Sequence, residues 1–213
     1  MNKVDWNKLW RKKNISFQPK HGQALELLSY LIKIDNIKSV CDFGCGQGVL
    51  LKKIKEKYPY LDLYGSDITN FSKQQLEQIG INYFYFNLIE DRLKRYFDLG
   101  ILVDVLEHFY NPLKVLDNLS TIKYLIVIVP NFNFITERIK VLKGDIPFQM
   151  RPERGGHIFW FNKYTLNNLI FKSNFKIIKQ LNYYPKKIKN IFFIRKFDNI
   201  FATSFGVLLK SKL

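Results

Sequence analysis

The run Asp42-Phe43-Gly44-Cys45-Gly46-Gln47-Gly48 constrains this chain more than any other, because glycines recur at every second position between an apolar stretch and an amphipathic one. Ser39 to Phe43 reads as a buried strand, and Val49 to Lys57 reads as a helix. Glycines between them allow positive φ and let a ligand come close to the backbone, with helix N–H groups pointing at it. The dinucleotide pattern G-x-G-x-x-G needs its third glycine where Val49 stands, so a dehydrogenase is disfavoured. Asp67 lies about 20 residues past the turn, just after the next apolar stretch, where a carboxylate accepts both hydroxyls of a ribose.

The pattern on either side of the turn alternates. Leu61 to Ser66, Asn82 to Phe86, Phe97 to Val103 and Lys123 to Val129 read as strands, with helices over 70–79 and from Asn111 to Leu119 between them. A helix over 21–33 precedes the first strand, and residues 5–13 give a short helix with Trp6 and Trp10 on one face. After Pro130 the rhythm breaks: residues 131–162 are too irregular for another simple crossover. Thr165 to Lys172 then gives a helix, and Phe175 to Leu181 and Ile200 to Leu209 give two strands. The fold class is α/β: a Rossmann-like, seven-stranded, mostly parallel sheet with helices on both faces and an antiparallel last strand.

With 213 residues, 47% of them hydrophobic, the chain suits a single domain with a packed core. Its parts are an N-terminal helical cover (1–35), a core (36–130), an insertion (131–162) and a C-terminal helix, strands and basic aromatic segment (163–213). Thirty-four Lys and Arg against 18 Asp and Glu leave a charge of +16, which draws a protein toward phosphates, nucleic acid or anionic lipid. The abundance of Lys, Ile, Asn, Phe and Tyr is equally what an AT-rich genome imposes, so charge alone decides nothing. Two cysteines, Cys41 and Cys45, are too few for a disulfide framework or a structural zinc site. The start lacks the apolar segment of a secretory signal, so a cytoplasmic location is expected.

The run V-C-D-F-G-C-G-Q-G, the G-S-D-I-T after the second strand and the V-D-V-L-E-H after the fourth resemble the class I S-adenosylmethionine-dependent methyltransferases, in their small-molecule branch. The later V-P-N and H-I-F-W-F-N-K-Y-T-L segments are similar to that branch too. The resemblance implies S-adenosyl-L-methionine as cofactor. It places Gly44, Cys45, Gly46 and Gly48, with Asp42 ahead of them, around the methionine and ribose moieties. It gives the ribose to Asp67, the adenine face to Ile68, and the methionyl neighbourhood to Val103 and Asp104. An Asp usually follows the third strand, near the adenine amino group; here Asn87 stands there, and its carbonyl can accept from the amine. Gly100 is a further departure, since glycine weakens a central strand.

Methyl transfer from a sulfonium mainly needs alignment, with a base when the acceptor is a hydroxyl or protonated amine. Histidine titrates near neutrality, which makes His108 and His157 the candidate catalytic bases and His21 a third. Asp104 and Glu107 read equally well as acids at a helix start. No Asp/His cluster has metal-ligand spacing, so no metal is expected. The insertion 131–162 leaves the sheet beside the cofactor, where it suits a lid with Arg151, Arg154 and Trp160 toward a polar acceptor; the competing reading is a helical cover packed on the sheet. The expected function is methyl transfer to a small-molecule or glycan-precursor acceptor, at oxygen. RNA methylation through the basic surface and a non-catalytic cofactor-binding regulator stand as alternatives. The N/D-P-P-Y/F run of base-amino methyltransferases is absent, and both cysteines are committed to the glycine turn rather than to attack on cytosine. Nucleic acid is expected to bind only weakly. An anionic membrane is the other candidate partner, through residues 184–197, with Phe192 and Phe193 dipping in while Lys186, Lys187 and Lys189 meet head groups.

Overall fold

The computed structural model describes residues 16–150, 157–188 and 190–212. In chain order the elements are α1 (Pro19–Ile34), β1 (Ser39–Phe43), α2 (Val49–Lys57), β2 (Asp62–Asp67), α3 (Lys73–Gln78), β3 (Asn82–Tyr85), β4 (Leu99–Val103), α4 (Pro112–Asn118), β5 (Tyr124–Pro130), α5 (Ile135–Leu142), α6 (Lys163–Lys172), β6 (Phe175–Tyr183), α7 (Asp198–Phe201) and β7 (Ser204–Ser211). Short 3₁₀ turns cover Leu106–His108, Phe148–Met150 and Phe192–Phe197. The seven strands form one sheet in the order β3-β2-β1-β4-β5-β7-β6. β7 runs antiparallel to both β5 and β6, and the other pairs are parallel. The order reverses between β1 and β4, and there the carboxyl ends of the strands open a crevice that such sheets use for ligands.

β5 shows how sequence builds this sheet. Its unbroken run Tyr124-Leu125-Ile126-Val127-Ile128-Val129 is buried throughout because both faces are covered. Tyr124, Ile126 and Ile128 point into a core with Leu27, Leu28 and Leu31 of α1 and Leu51 and Ile54 of α2. Leu125, Val127 and Val129 point into the opposite core with Val115 and Leu116 of α4 and Leu166 and Ile170 of α6. Helix starts are fixed by local chemistry. Asn111 accepts from the Lys114 amide at 3.2 Å, with Pro112 as the first helical residue, and Asn162 and Thr165 cap α6 reciprocally at 2.9 Å each.

Ile200 belongs to α7, so the last strand begins at Ser204 rather than at Ile200. The segment after Pro130 contains the regular helix α5, a helical element of the kind the competing reading of this stretch held. Trp6 and Trp10 fall outside the described residues, as do Arg151, Arg154 and Lys189. Gly100 is not a packing defect either. The space beside it is filled by Leu125 Cδ1 and Ile122 Cδ1, which a Cβ would meet at 2.9 and 3.0 Å, with Phe43 Cε2 at 3.3 Å.

Candidate active site

The glycine turn leaves β1 at the reversal of strand order and enters α2 through three left-handed residues, Gly44, Gly46 and Gly48, at φ 76, 52 and 68°. Packing forbids side chains there as firmly as backbone does. A Cβ on Gly44 would lie 2.7 Å from Val105 Cγ2, and one on Gly48 would lie 2.4 Å from Leu76 Cδ2. The amides of Gly44 and Cys45 donate to the Ser66 carbonyl at 2.7 and 3.0 Å, so the turn is bound to the end of β2.

Asp67 closes that connection. One carboxylate oxygen accepts from the Gly46 amide and the other from the Thr69 amide, each at 3.0 Å. Ser72 donates its hydroxyl to the Gly46 carbonyl, and Tyr83 donates its own to the Thr69 carbonyl. The Thr69 side chain and the Ile68 amide also act on the same carboxylate, so donors from both the glycine turn and the end of β2 hold its charge. Burial pushes the Asp67 carboxyl above its ordinary range, while the amides of Gly46 and Thr69 pull it back. Asp42, also buried, is pushed up to about 8 by desolvation and then by the charge of Asp67, so it is neutral at pH 7. Burial likewise pushes the thiols of Cys41 and Cys45 well up, which fits packing rather than nucleophilic roles.

Around this centre stand the other residues singled out by sequence. Ile68 is 41% exposed at the end of β2, an apolar side chain next to Asp67 in the chain. The carbonyl oxygen of Asn87 accepts from the Ile89 amide at 3.0 Å, so it already holds its own turn. Val103 ends β4, and Asp104 follows at φ 52°, its amide bonded to the Ile128 carbonyl at 3.1 Å and its carboxylate paired with Lys20 of α1. Lys20 escaped the sequence reading, because only the fold lays the start of α1 over the end of β4.

Glu107 is the acid in the first turn of a short helix, but burial gives it a second character. It sits in a three-residue 3₁₀ turn, fully buried, and burial pushes its carboxyl up to about 7. Its own carbonyl accepts from the amides of Ile158 and Phe159 at 2.9 and 3.0 Å, which brings the distant His157 segment onto the turn. The rings of His108 and His157 consequently meet edge to face, 4.9 Å between centroids, and His157 Nε2 lies 3.9 Å from Glu107 Oε1. The two candidate bases therefore share one place. His21 serves the helix instead. Its Nδ1 accepts from the Gln18 amide at 3.0 Å at the head of α1. Burial, with the nearby Lys20 charge, pushes its pKa down to about 4, so it is neutral near pH 7. Trp160 stands 42% exposed with its ring tilted against Phe132 at 5.6 Å.

A family description, the methyltransferase domain, matches residues 17–180, most of the chain and all of the site just described. This chain belongs to the class I methyltransferases. Two solved methyltransferases share its fold. One is the magnesium protoporphyrin IX methyltransferase of Synechocystis PCC 6803 with bound S-adenosylhomocysteine, with a TM-score of 0.63 at 17% identity over 97% of this chain and 92% of that one. The other is the N-methyltransferase NodS of Bradyrhizobium japonicum WM9, also with S-adenosylhomocysteine, with a TM-score of 0.64 at 10% identity over 99% of this chain and 98% of that one. At such identities the likeness carries the fold. A short stretch of 47 residues is 38% identical to the uncharacterized protein MG259 homolog of Mycoplasma pneumoniae; it makes up 22% of this chain and 10% of that much longer protein. Among the described residues of the methyltransferase, no helix is long and apolar enough to cross a membrane.

Proposed function

We propose that this methyltransferase moves the methyl group of S-adenosyl-L-methionine to an oxygen of a small molecule or glycan precursor. The observation that carries the reading is Asp67, a buried carboxylate clamped to the glycine turn at the reversal of strand order. The residues fit the cofactor: the turn offers backbone without side chains, Asp67 takes ribose hydroxyls, and Ile68 covers the adenine face. Asn87 accepts from the Ile89 and Glu90 amides at 3.0 and 3.4 Å and so holds its own loop; the adenine amine would have to replace the longer of these bonds.

S-adenosyl-L-methionine supplies a methyl group on a sulfonium, a good leaving group, so the protein has only to align the acceptor and accept a proton. His108 and His157 hold that position at the carboxyl end of β4, beyond Val103 and Asp104. Phe132 and Trp160 form an aromatic wall where the chain leaves β5, which supports an acceptor-side role for Trp160, with Arg151 and Arg154 close by in sequence. The test is to incubate the chain with labelled cofactor and fractionated extract and identify the labelled product. A labelled small-molecule or glycan methyl ether is expected. Label found only in RNA or protein would sink the acceptor assignment.

A further inference from the structure

Glu107, His108 and His157 bring one carboxylate oxygen and two imidazole nitrogens within 4.8 Å of one another. Neither carboxylate oxygen of Glu107 has a hydrogen-bond partner among the described residues, although the side chain is fully buried. A carboxylate out of water needs donors or a cation facing it, and leaving it bare is costly. The ammonium of Lys20, whose charge reaches Glu107, is already paired with Asp104. The cluster thus has a fully buried carboxyl without a hydrogen bond, within reach of two imidazoles.

We propose that Glu107, His108 and His157 bind one divalent transition-metal cation at the carboxyl end of β4. Two imidazoles and a carboxylate are the donor set of zinc, manganese, iron or cobalt, whereas calcium and magnesium prefer oxygen alone. Bonds of about 2.0–2.2 Å to each donor place ligand atoms about 3 Å apart, so the 3.9 Å between His157 and Glu107 has to shorten on binding. The backbone permits this without refolding. The Ile158 and Phe159 amides already hold the His157 segment to the Glu107 carbonyl, leaving side-chain rotation as the only adjustment. Three protein donors leave coordination positions open, the arrangement of a working rather than a structural site.

The catalytic use of the ion rests on the methyl-transfer function proposed above, whereas its binding does not. With the ion bound, His108 and His157 are ligands and no longer the proton acceptors of the metal-free chain: an acceptor hydroxyl on the cation would release its proton to solvent, and an oxygen lone pair would form the new O–CH₃ bond. The S–CH₃ bond breaks with its electron pair staying on sulfur, which leaves as a neutral thioether.

The full chain, stripped with chelator, is titrated with Zn²⁺ and separately with Mn²⁺, following free Mn²⁺ by electron paramagnetic resonance and Zn²⁺ with a chromophoric chelator. At least one of the ions should bind saturably at one per chain, and at least tenfold more weakly to H108A and to H157A. E107Q is a third variant; should it unfold, the two histidine variants decide. Thermal unfolding checks that each variant is folded, and calorimetry with S-adenosylhomocysteine checks the cofactor site. Absence of saturable binding by either ion, or binding unchanged in both folded histidine variants, overturns the proposal. Loss of S-adenosylhomocysteine binding in a wild-type chain that still binds one ion would overturn the methyltransferase reading and leave the metal site standing.

Discussion

At the scale of single residues, the carboxylate of Asp67 accepts from the Gly46 and Thr69 amides, and the proposed function gives it the ribose hydroxyls as well. Hydrogen bonds to a charged group contribute roughly 1.5–3 kcal/mol each. Asp67→Ala should therefore weaken cofactor affinity about tenfold or more. Calorimetry giving equal affinities for wild type and variant would remove the ribose assignment. Asp42 makes a prediction of the opposite electrostatic kind. Its carboxyl is raised to about 8 in the folded chain, from 3.8, so between those values the native state holds a proton that the unfolded state has lost. Stability then falls as pH rises through that window, by about 1.4 kcal/mol per pH unit at most, and levels off above pH 8. Asp42→Asn removes the group, so the variant should gain on wild type between pH 6 and pH 8. Urea unfolding at the two pH values measures this, and parallel loss in both proteins would refute it.

Elements show where periodicity could be read and where it could not. The strands were legible because each one is covered on both faces or one, leaving unbroken or alternating apolar runs. α5 was not, because it presents Ile139, Val141 and Leu142 to solvent and buries only Glu137 among its residues. Without a buried apolar stripe, a helix leaves no periodic trace. The end of the chain misled for a related reason. Ile200 and Phe201 continue the apolar run of β7, and only tertiary bonds, from Asn131 Nδ2 to the Asn199 and Ala202 carbonyls at 3.2 and 2.7 Å, separate α7 from the strand. β7 also carries a glycine whose importance the sequence hides. A Cβ on Gly206 would lie 2.8 Å from the Leu181 carbonyl oxygen, Ile128 Cδ1 and Gln23 Nε2 alike. Gln23 donates to that same carbonyl and accepts from the Ser204 hydroxyl, locking α1 over β6 and β7. Gly206→Ala should cost about 1–3 kcal/mol by overpacking, although alanine ordinarily does no harm in a strand. Denaturation midpoints test this, and an unchanged midpoint would show that the sheet yields.

For the whole molecule, the charge of +16 has a surface to act through. Lys186 and Lys187 are exposed, and Phe193 and Phe197 stand 63 and 42% exposed on the 3₁₀ turn that follows them. The chain should sediment with anionic vesicles and not with neutral ones, with the association falling as salt screens the charges. RNA binding should be weak and lost steeply with salt. No sedimentation with anionic vesicles would return the charge to codon usage. The sequence by itself determined the order of the strands, the glycine turn and the family resemblance, since all of these rest on short-range pattern and fixed spacing. The tertiary structure alone decided that Glu107 is buried, that Lys20 pairs with Asp104, and that His108 meets His157. Those facts depend on chain segments far apart in sequence that the sheet brings together, and burial is a property of the packed whole that no local window carries.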